Sequence, residues 1–458
     1  MSMFEKKIKD LIKGSKIPQN MINRGQIVLD NWLKPIKNLL EQKRVPEEPW
    51  EDEQIKFLLK LLSQMDTDKD LDAARVGERE ARISTPLLNL YSAGFCHGIG
   101  RSGVISAPQP KAPGGSIMYE LTNKLAKYAM TKFGLPNIKD TLVIPMATGM
   151  SLSLCLAGLR PEWKNDTLYK RKVVVPRLDH TSIIKGIKYM GAEPKIVEGE
   201  IYGDAVRVPI EKISAGIDKD TFSILSFTSF FPPREADNIK EIAKLAQEKD
   251  ITHIVVNAYG VQSEEWMKMI RSAIDAGRVD AIIQSTDKNF LTPVGGSIIC
   301  TPHKDTMEKI SRTYAGRANA SPIFQFLISI LSLGIKGYQA LIEEQKKNRK
   351  YLAVELNKIA DKIGEKILNV FNPVAVALTL DNLKGKNLSS LGGALYTLRV
   401  TGPRIYDPTE KSFGMCCNHY PHAYIVMNSA IGATKKDIDL TIARFQKSYD
   451  QFSKTLNQ

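Results

Sequence analysis

The sequence predicts an α/β fold with a mainly parallel central sheet, an N-terminal helical arm and a smaller C-terminal α+β domain. Between residues 120 and 300, short apolar runs alternate with helix-length amphipathic segments, the pattern of βαβ units whose sheet is covered on both faces. Before this region, residues 17–44 place Ile27, Val28, Trp32, Ile36, Leu39 and Leu40 at helical spacing, until Pro46 and Pro49 close the segment. After Arg317 comes a long helical region rich in Leu, Ile and Lys, followed by further short apolar runs. The expected division is residues 1–45, 46–320 and 321–458.

In order along the chain, LTNKLAKYAMTKFG reads as helix, TLVIPMATGM as a buried strand entering a turn, and RKVVVPRLDH as a strand followed by the helix TSIIKGIKYMG. FSILSFTSF, THIVVNAYG, VDAIIQSTDK and GGSIIC read as strands, with NIKEIAKLAQEKD as a helix among them. In the last portion, AVALTL, ALYTLRVTG and AYIVMNSAIG are the expected strands. In sheets of this kind the chemistry collects at the carboxyl ends of the strands.

Composition narrows the class. With 64 Lys plus Arg against 50 Asp plus Glu, the formal charge of +14 favours acidic macromolecules or small anions. Residues 1–15 lack the apolar core and cleavage site of a signal peptide, and no run of about eighteen apolar residues stands out, so a cytoplasmic protein without membrane contact is expected. The five scattered cysteines suit reduced thiols, and neither they nor the six histidines have metal-ligand spacing, so no metal is expected.

The sharpest chemical signal is QSTDKNFLTPVGGSII. Lys288 lies just past a strand with Ser285 before it, as suits a lysine that anchors pyridoxal 5'-phosphate from a cleft, where desolvation lowers the amine's pKa. The same residues also read as the S-x-x-K of a serine acyl-enzyme, but the accompanying K-T-G element is missing. Asn257 ends the strand THIVVNAYG, where a partner for the pyridine nitrogen belongs; an amide hydrogen-bonds that nitrogen without holding it charged. Ala147, Thr148 and Gly149 open a helix, so their N–H groups offer a seat for the cofactor phosphate, and His180 in LDHTS is placed to lie on the ring. The stretch Cys96 to Ser116, CHGIGRSGVISAPQPKAPGGS, combines glycines, prolines and cations as an anion cradle does. GEREARIS and AGRANASP present further arginines on loops.

Taken together, GEREARIS, GIGRSGVISAPQPKAPGGS, PMATGMSLSLC, NAYGVQS, QSTDKNFLTPVGG and GRANASP resemble the O-phosphoseryl-tRNA(Sec) selenium transferase family, from about residue 70 to about 435. The resemblance implies the aspartate-aminotransferase fold (fold type I of pyridoxal-dependent enzymes) and a homotetramer built as a dimer of dimers. It makes Lys288 the cofactor-bearing lysine and Arg79 a ligand of the cofactor phosphate across the dimer. It places Arg101, Ser102, Gln109 and Arg317 on the phosphate of phosphoserine and makes Glu78 the residue that repels free amino acids. The implied reaction eliminates phosphate to a dehydroalanyl-tRNA and adds selenium from selenophosphate. Contacts with tRNA(Sec) charged with phosphoserine are expected at Arg24, Lys34 and Lys37 in the arm and at Arg399 and Arg404, with no part for DNA. Leu398 stands where an arginine is expected, which leaves the contact to the discriminator base open. Two other readings remain at this stage: a pyridoxal enzyme using a free amino acid or sulfide, and a non-catalytic RNA-binding scaffold.

Overall fold

The computed structural model describes residues 16–161, 170–410 and 413–456. The chain forms two compact units, one ending at Arg44 and one running from Val45 onward. In the first, the helix Gln19–Gln42 carries the arm; residues 1–15 of the expected arm lie outside the described residues. Ile36 and Leu39 are buried, whereas Ile27 and Val28 are exposed, so the stripe expected from spacing is only partly covered in the single chain.

Among the described residues the second unit has twelve strands: β1 (Asp140–Ile144), β2 (Lys172–Pro176), β3 (Glu193–Val197), β4 (Glu200–Tyr202), β5 (Ala205–Arg207), β6 (Thr221–Phe227), β7 (Thr252–Val256), β8 (Ala281–Ser285), β9 (Ser297–Thr301), β10 (Ala375–Thr379), β11 (Arg404–Tyr406) and β12 (Tyr424–Asn428). Seven of them make the main sheet in the order β1-β9-β8-β7-β6-β2-β3. β8, β7, β6, β2 and β3 run parallel, and β9, the GGSIIC strand, pairs antiparallel with both β1 and β8. β6, β7, β8 and β9 are buried at every position, as a sheet with helices on both faces requires, and edge strand β3 is mostly exposed. β4 and β5 form a small hairpin.

A second sheet, β10-β12-β11, is antiparallel throughout. The expected strand ALYTLRVTG is not in it. That stretch is the end of the helix Leu388–Thr397 and the turn after it, and the third strand is β11. Leu388, Leu391 and Leu395 are buried at helical spacing, and this tertiary burial decided an apolar run too short to distinguish helix from strand by periodicity.

The helix Ser321–Ile363 joins the two sheets. Ile323, Phe324, Phe326 and Leu327 lie in the core, and Leu352, Leu356 and Ile359 pack with Val376, Leu378 and Ile425 of the small sheet. This is the one helix among the described residues long and apolar enough to cross a membrane; its apolar side chains are used in these cores. It is broken at Gly334, where φ is 59°, because residues 46–50 cross it there. Trp50 N–H donates to Leu331 O, and Ile335 and Lys336 N–H donate to Pro46 O and Glu47 O, so the crossing strand replaces the helix's own ladder. A Cβ at residue 334 would sit 2.7 Å from the Glu48 carbonyl carbon, which leaves glycine as the residue that fits.

Candidate active site

The carboxyl ends of β2, β6, β7 and β8 open on one cavity of about 740 Å³, closed on the other side by residues of the small sheet. Lys288 reaches it from the short helix Thr286–Phe290 directly after β8. The turn is fastened from behind: Asn289 Nδ2 donates to Ser285 O (2.7 Å) and Ala258 O (3.0 Å), while Gln262 Nε2 donates to Lys288 O (3.2 Å). Ser285 Oγ donates to Asp287, the acidic neighbour of the lysine. Lys288 is open to the cavity yet walled on most sides, and this burial holds its pKa below the ordinary lysine value against the pull of Asp287, with Arg404 lowering it further. A larger share of the amine is therefore neutral, the form that acts as nucleophile and base.

The helix Thr148–Leu159 begins on the same cavity. Its N-cap, Ala147, supplies no side-chain acceptor, and the N–H groups of Thr148 and Gly149 have no backbone or side-chain acceptor among the described residues. Two free donors at the positive end of a buried helix make an anion seat. The helix Thr181–Tyr189 lies against this one at Gly149 and Gly186, where Ser153 Oγ donates to Gly186 O (2.8 Å). His180 precedes it; its Nδ1 lies 2.6 Å from Ser182 Oγ, and burial, then Lys288 and Arg404, push its pKa down, so the ring is neutral at pH 7. A cavity-facing lysine with a depressed pKa, a neutral imidazole and an uncapped helix end fit pyridoxal phosphate. No group of three or more metal-ligating side chains occurs among the described residues.

Of the residues singled out from sequence, Ala147, Thr148, Gly149, His180, Ser285, Lys288 and Arg404 line this cavity together. Asn257 is fully buried just past β7 and is not in the lining. Its Oδ1 accepts from Thr228 Oγ1 (2.6 Å), and its Nδ2 lies 3.4 Å from Gln284 Oε1. Arg404, expected at the tRNA acceptor end, stands in the cavity wall with its guanidinium 4.1 Å from the centroid of Phe231. Asp287, Gln262 and Asn289 were not singled out; the last two act through backbone bonds that carry no sequence signature.

Glu78, Arg79, Arg101, Ser102, Gln109 and Arg317 do not line the cavity. They belong to a second constellation. Ile99 and Ala318 exchange both backbone hydrogen bonds, which brings Arg317 against the loop that starts at Gly98, and Arg317 Nη2 donates to His97 O. Arg101 and Val104 pair in the same way, leaving Ser102 at the exposed tip of a turn. Gly100, at φ 69°, has Ile105 O where a Cβ would be, and Gln109 Nε2 donates to Gly100 O (3.2 Å). Burial first, then the charge of Arg79, pulls the pKa of Arg317 down. Glu78 and Arg79 are exposed. Arg24, Lys34 and Lys37 are exposed on the arm helix, with Lys37 3.9 Å from Asp30. Arg399 is exposed in a left-handed turn, φ 60°.

Sheet order, the strand-end lysine and the helix-end anion seat define a pyridoxal-phosphate-dependent enzyme of fold type I. Comparison with known proteins gives the particular family. The model of O-phosphoseryl-tRNA(Sec) selenium transferase, SepSecS, matches residues 65–450, and this chain belongs to that family. The O-phosphoseryl-tRNA(Sec) selenium transferase of Methanocaldococcus jannaschii is 44% identical over 437 residues, covering 94% of this chain and 98% of the relative. That of Dictyostelium discoideum is 36% identical, covering 97% and 98%. The crystal structure of an archaeal SepSecS superposes with a TM-score of 0.90 at 41% identity, over 95% of this chain and 98% of that one. A Lactobacillus brevis glutamate decarboxylase, TM-score 0.60 at 11% identity over 89% and 94%, shares the fold.

Proposed function

We propose that this chain converts phosphoserine esterified to tRNA(Sec) into selenocysteine on the same tRNA, with selenophosphate as the selenium donor. The observation that carries the reading is the convergence of Lys288, His180 and the free N–H groups of Thr148 and Gly149 on one cavity, in a chain of this family. Thr148 and Gly149 would hold the cofactor phosphate, with Arg79 of a second copy, and His180 would cover the ring. Asn257, just past the end of β7, is the residue that would meet the pyridine nitrogen. Pyridoxal phosphate, when bound, supplies the electron sink for the pair left when the α-proton of phosphoserine is removed. Lys288, with its depressed pKa, takes that proton.

Phosphate then leaves from the β-carbon, and Arg101, Ser102, Gln109 and Arg317 take up its charge. Glu78 disfavours a free carboxylate at the position of the aminoacyl ester. The exposed Arg24, Lys34, Lys37 and Arg399 hold tRNA phosphates, and Arg404 in the cavity wall receives the acceptor end. Because the phosphate constellation does not line the Lys288 cavity of its own chain, the reading includes a homotetramer in which one copy's loop completes another's cavity. The free cysteines suit a cytoplasmic enzyme.

The test is formation of selenocysteinyl-tRNA(Sec) from phosphoseryl-tRNA(Sec) and selenophosphate, with free phosphoserine and sulfide as comparison substrates. Activity requires tRNA, and Lys288→Ala abolishes it. Equal turnover of free phosphoserine, or product formed by Lys288→Ala, overturns the proposal.

A further inference from the structure

GEREARIS contains a second glutamate, two residues after the one assigned to substrate discrimination. In the folded chain Glu80 is the residue of this segment that turns inward. It is 8% exposed, while Glu78 and Arg79 face solvent. The turn that places it is rigid: Ala81 has φ 53°, and the Arg82 guanidinium donates back to Gly77 O (2.9 Å) and to Arg75 O. Within this turn, the Glu80 carboxylate accepts a hydrogen bond from Lys111 Nζ, the lysine of the Cys96–Ser116 anion loop.

The surroundings are cationic. Lys111, Arg82 and Arg317 all act attractively on this one carboxylate, and Arg79 stands close enough to Arg317 to repel it. The Nε of Arg317 is buried and has no hydrogen-bond partner among the described residues. His97, whose carbonyl accepts from Arg317, has its pKa lowered by burial against the pull of Asp68. The two acidic side chains on the other side, Asp66 and Asp68, are turned elsewhere: Asp66 accepts from Gly115 N–H (2.9 Å), and Asp68 faces Lys69 and His97. Glu80 is thus a resident carboxylate against the anion loop, hydrogen-bonded to the loop's lysine.

We propose that Glu80 is the resident anion of the phosphate clamp, a positioning and selectivity residue that occupies Lys111 when the clamp is empty and yields it when a phosphate enters. The inference rests on the reading of Arg101, Ser102, Gln109 and Arg317 as that clamp. A phosphate dianion with several acceptor oxygens can engage Arg317, Arg101 and the loop together and outcompete a single carboxylate for Lys111, whereas a weaker monoanion cannot. After elimination, return of Glu80 to Lys111 favours departure of free phosphate. Glu80 therefore weakens the hold on inorganic phosphate and limits inhibition by that product.

The experiment is calorimetric titration of the cofactor-loaded enzyme with inorganic phosphate, comparing wild type, Glu80→Gln, Lys111→Gln and Arg317→Gln, with thermal unfolding to confirm that each is folded. Glu80→Gln keeps the shape and removes the charge. Since Lys111 is half exposed and its pairing is partly screened, phosphate binds this variant about fivefold more tightly. Product inhibition deepens by the same factor. Lys111→Gln and Arg317→Gln bind phosphate more weakly than wild type. Unchanged or weaker phosphate binding in folded Glu80→Gln, with Arg317→Gln still impaired, overturns the role of Glu80 and leaves the clamp standing. Equal binding in wild type and Arg317→Gln overturns the clamp and the inference with it.

Discussion

Gly186 tests whether helix packing sets the cofactor seat. It lies in the helix Thr181–Tyr189 against the helix that presents Thr148 and Gly149, and a Cβ there would stand 2.7 Å from Gly149 O and 3.1 Å from Ser153 Oγ. Ordinary contact begins at 3.4 Å, so Gly186→Ala must move the Gly149 carbonyl by about 3.4 − 2.7 = 0.7 Å, and the backbone donors of the seat move with it. Overpacking costs about 1–3 kcal/mol, and replacing a helical glycine returns about 1 kcal/mol, so the net stability loss is about 1 kcal/mol. Functional geometry tolerates about 0.5 Å, so cofactor binding loses more than folding does: the Kd of the apoenzyme for pyridoxal phosphate rises about tenfold, equivalent to about 1.4 kcal/mol. The assay is absorbance titration of apoenzyme with pyridoxal phosphate, paired with calorimetric unfolding. Ser153→Ala, which removes the bond to Gly186 O without adding bulk, lowers Tm and leaves the Kd near wild type. A Gly186→Ala protein with wild-type Kd and wild-type Tm would refute the argument, because the two helices would then have slack at their closest approach.

Two pH effects follow from the same structure. Lys288 has its pKa lowered by burial and then by Arg404, so Arg404→Gln raises it, and the rate at which apoenzyme recaptures pyridoxal phosphate, which needs the neutral amine, moves to higher pH by less than about one unit; no shift, or an acid shift, in stopped-flow absorbance contradicts the coupling. Asp66 is buried beside the start of the helix Pro113–Lys132, and burial raises its pKa from 3.8 to about 6 despite its bond from Gly115 N–H. A carboxyl whose folded pKa exceeds its unfolded value favours the fold below pH 3.8, and that contribution disappears as pH rises through about 6. Asp66→Asn, which keeps the acceptor for Gly115, therefore stabilises by about 1–2 kcal/mol above pH 7 after allowance for solvent screening, and by nothing near pH 4; melting curves across this range check the crossover.

Much of the candidate site was legible because its signals are local. A lysine directly after a buried strand and a Thr-Gly helix start need only the neighbouring residues to be recognised, and Lys288 and Thr148–Gly149 do face one cavity. Glu80 was harder to read, since GEREARIS offers two glutamates and only the folded chain shows which of them turns inward. The kink at Gly334 was equally hidden, because its cause is a segment nearly three hundred residues earlier that takes over the helix's hydrogen bonds.

By itself the sequence determined the alternation of strands and helices, the mainly parallel sheet and the lysine just past a strand end, because periodicity and strand-end position are properties of adjacent residues. Only the tertiary structure decided that ALYTLRVTG ends a helix, that Arg404 stands in the cavity wall, that Asn257 is turned toward Gln284 and Thr228, and that the glycine-rich loop with Arg101 does not line the Lys288 cavity of its own chain. Each of these depends on which distant surfaces are buried together, and burial is a property of the whole packed chain.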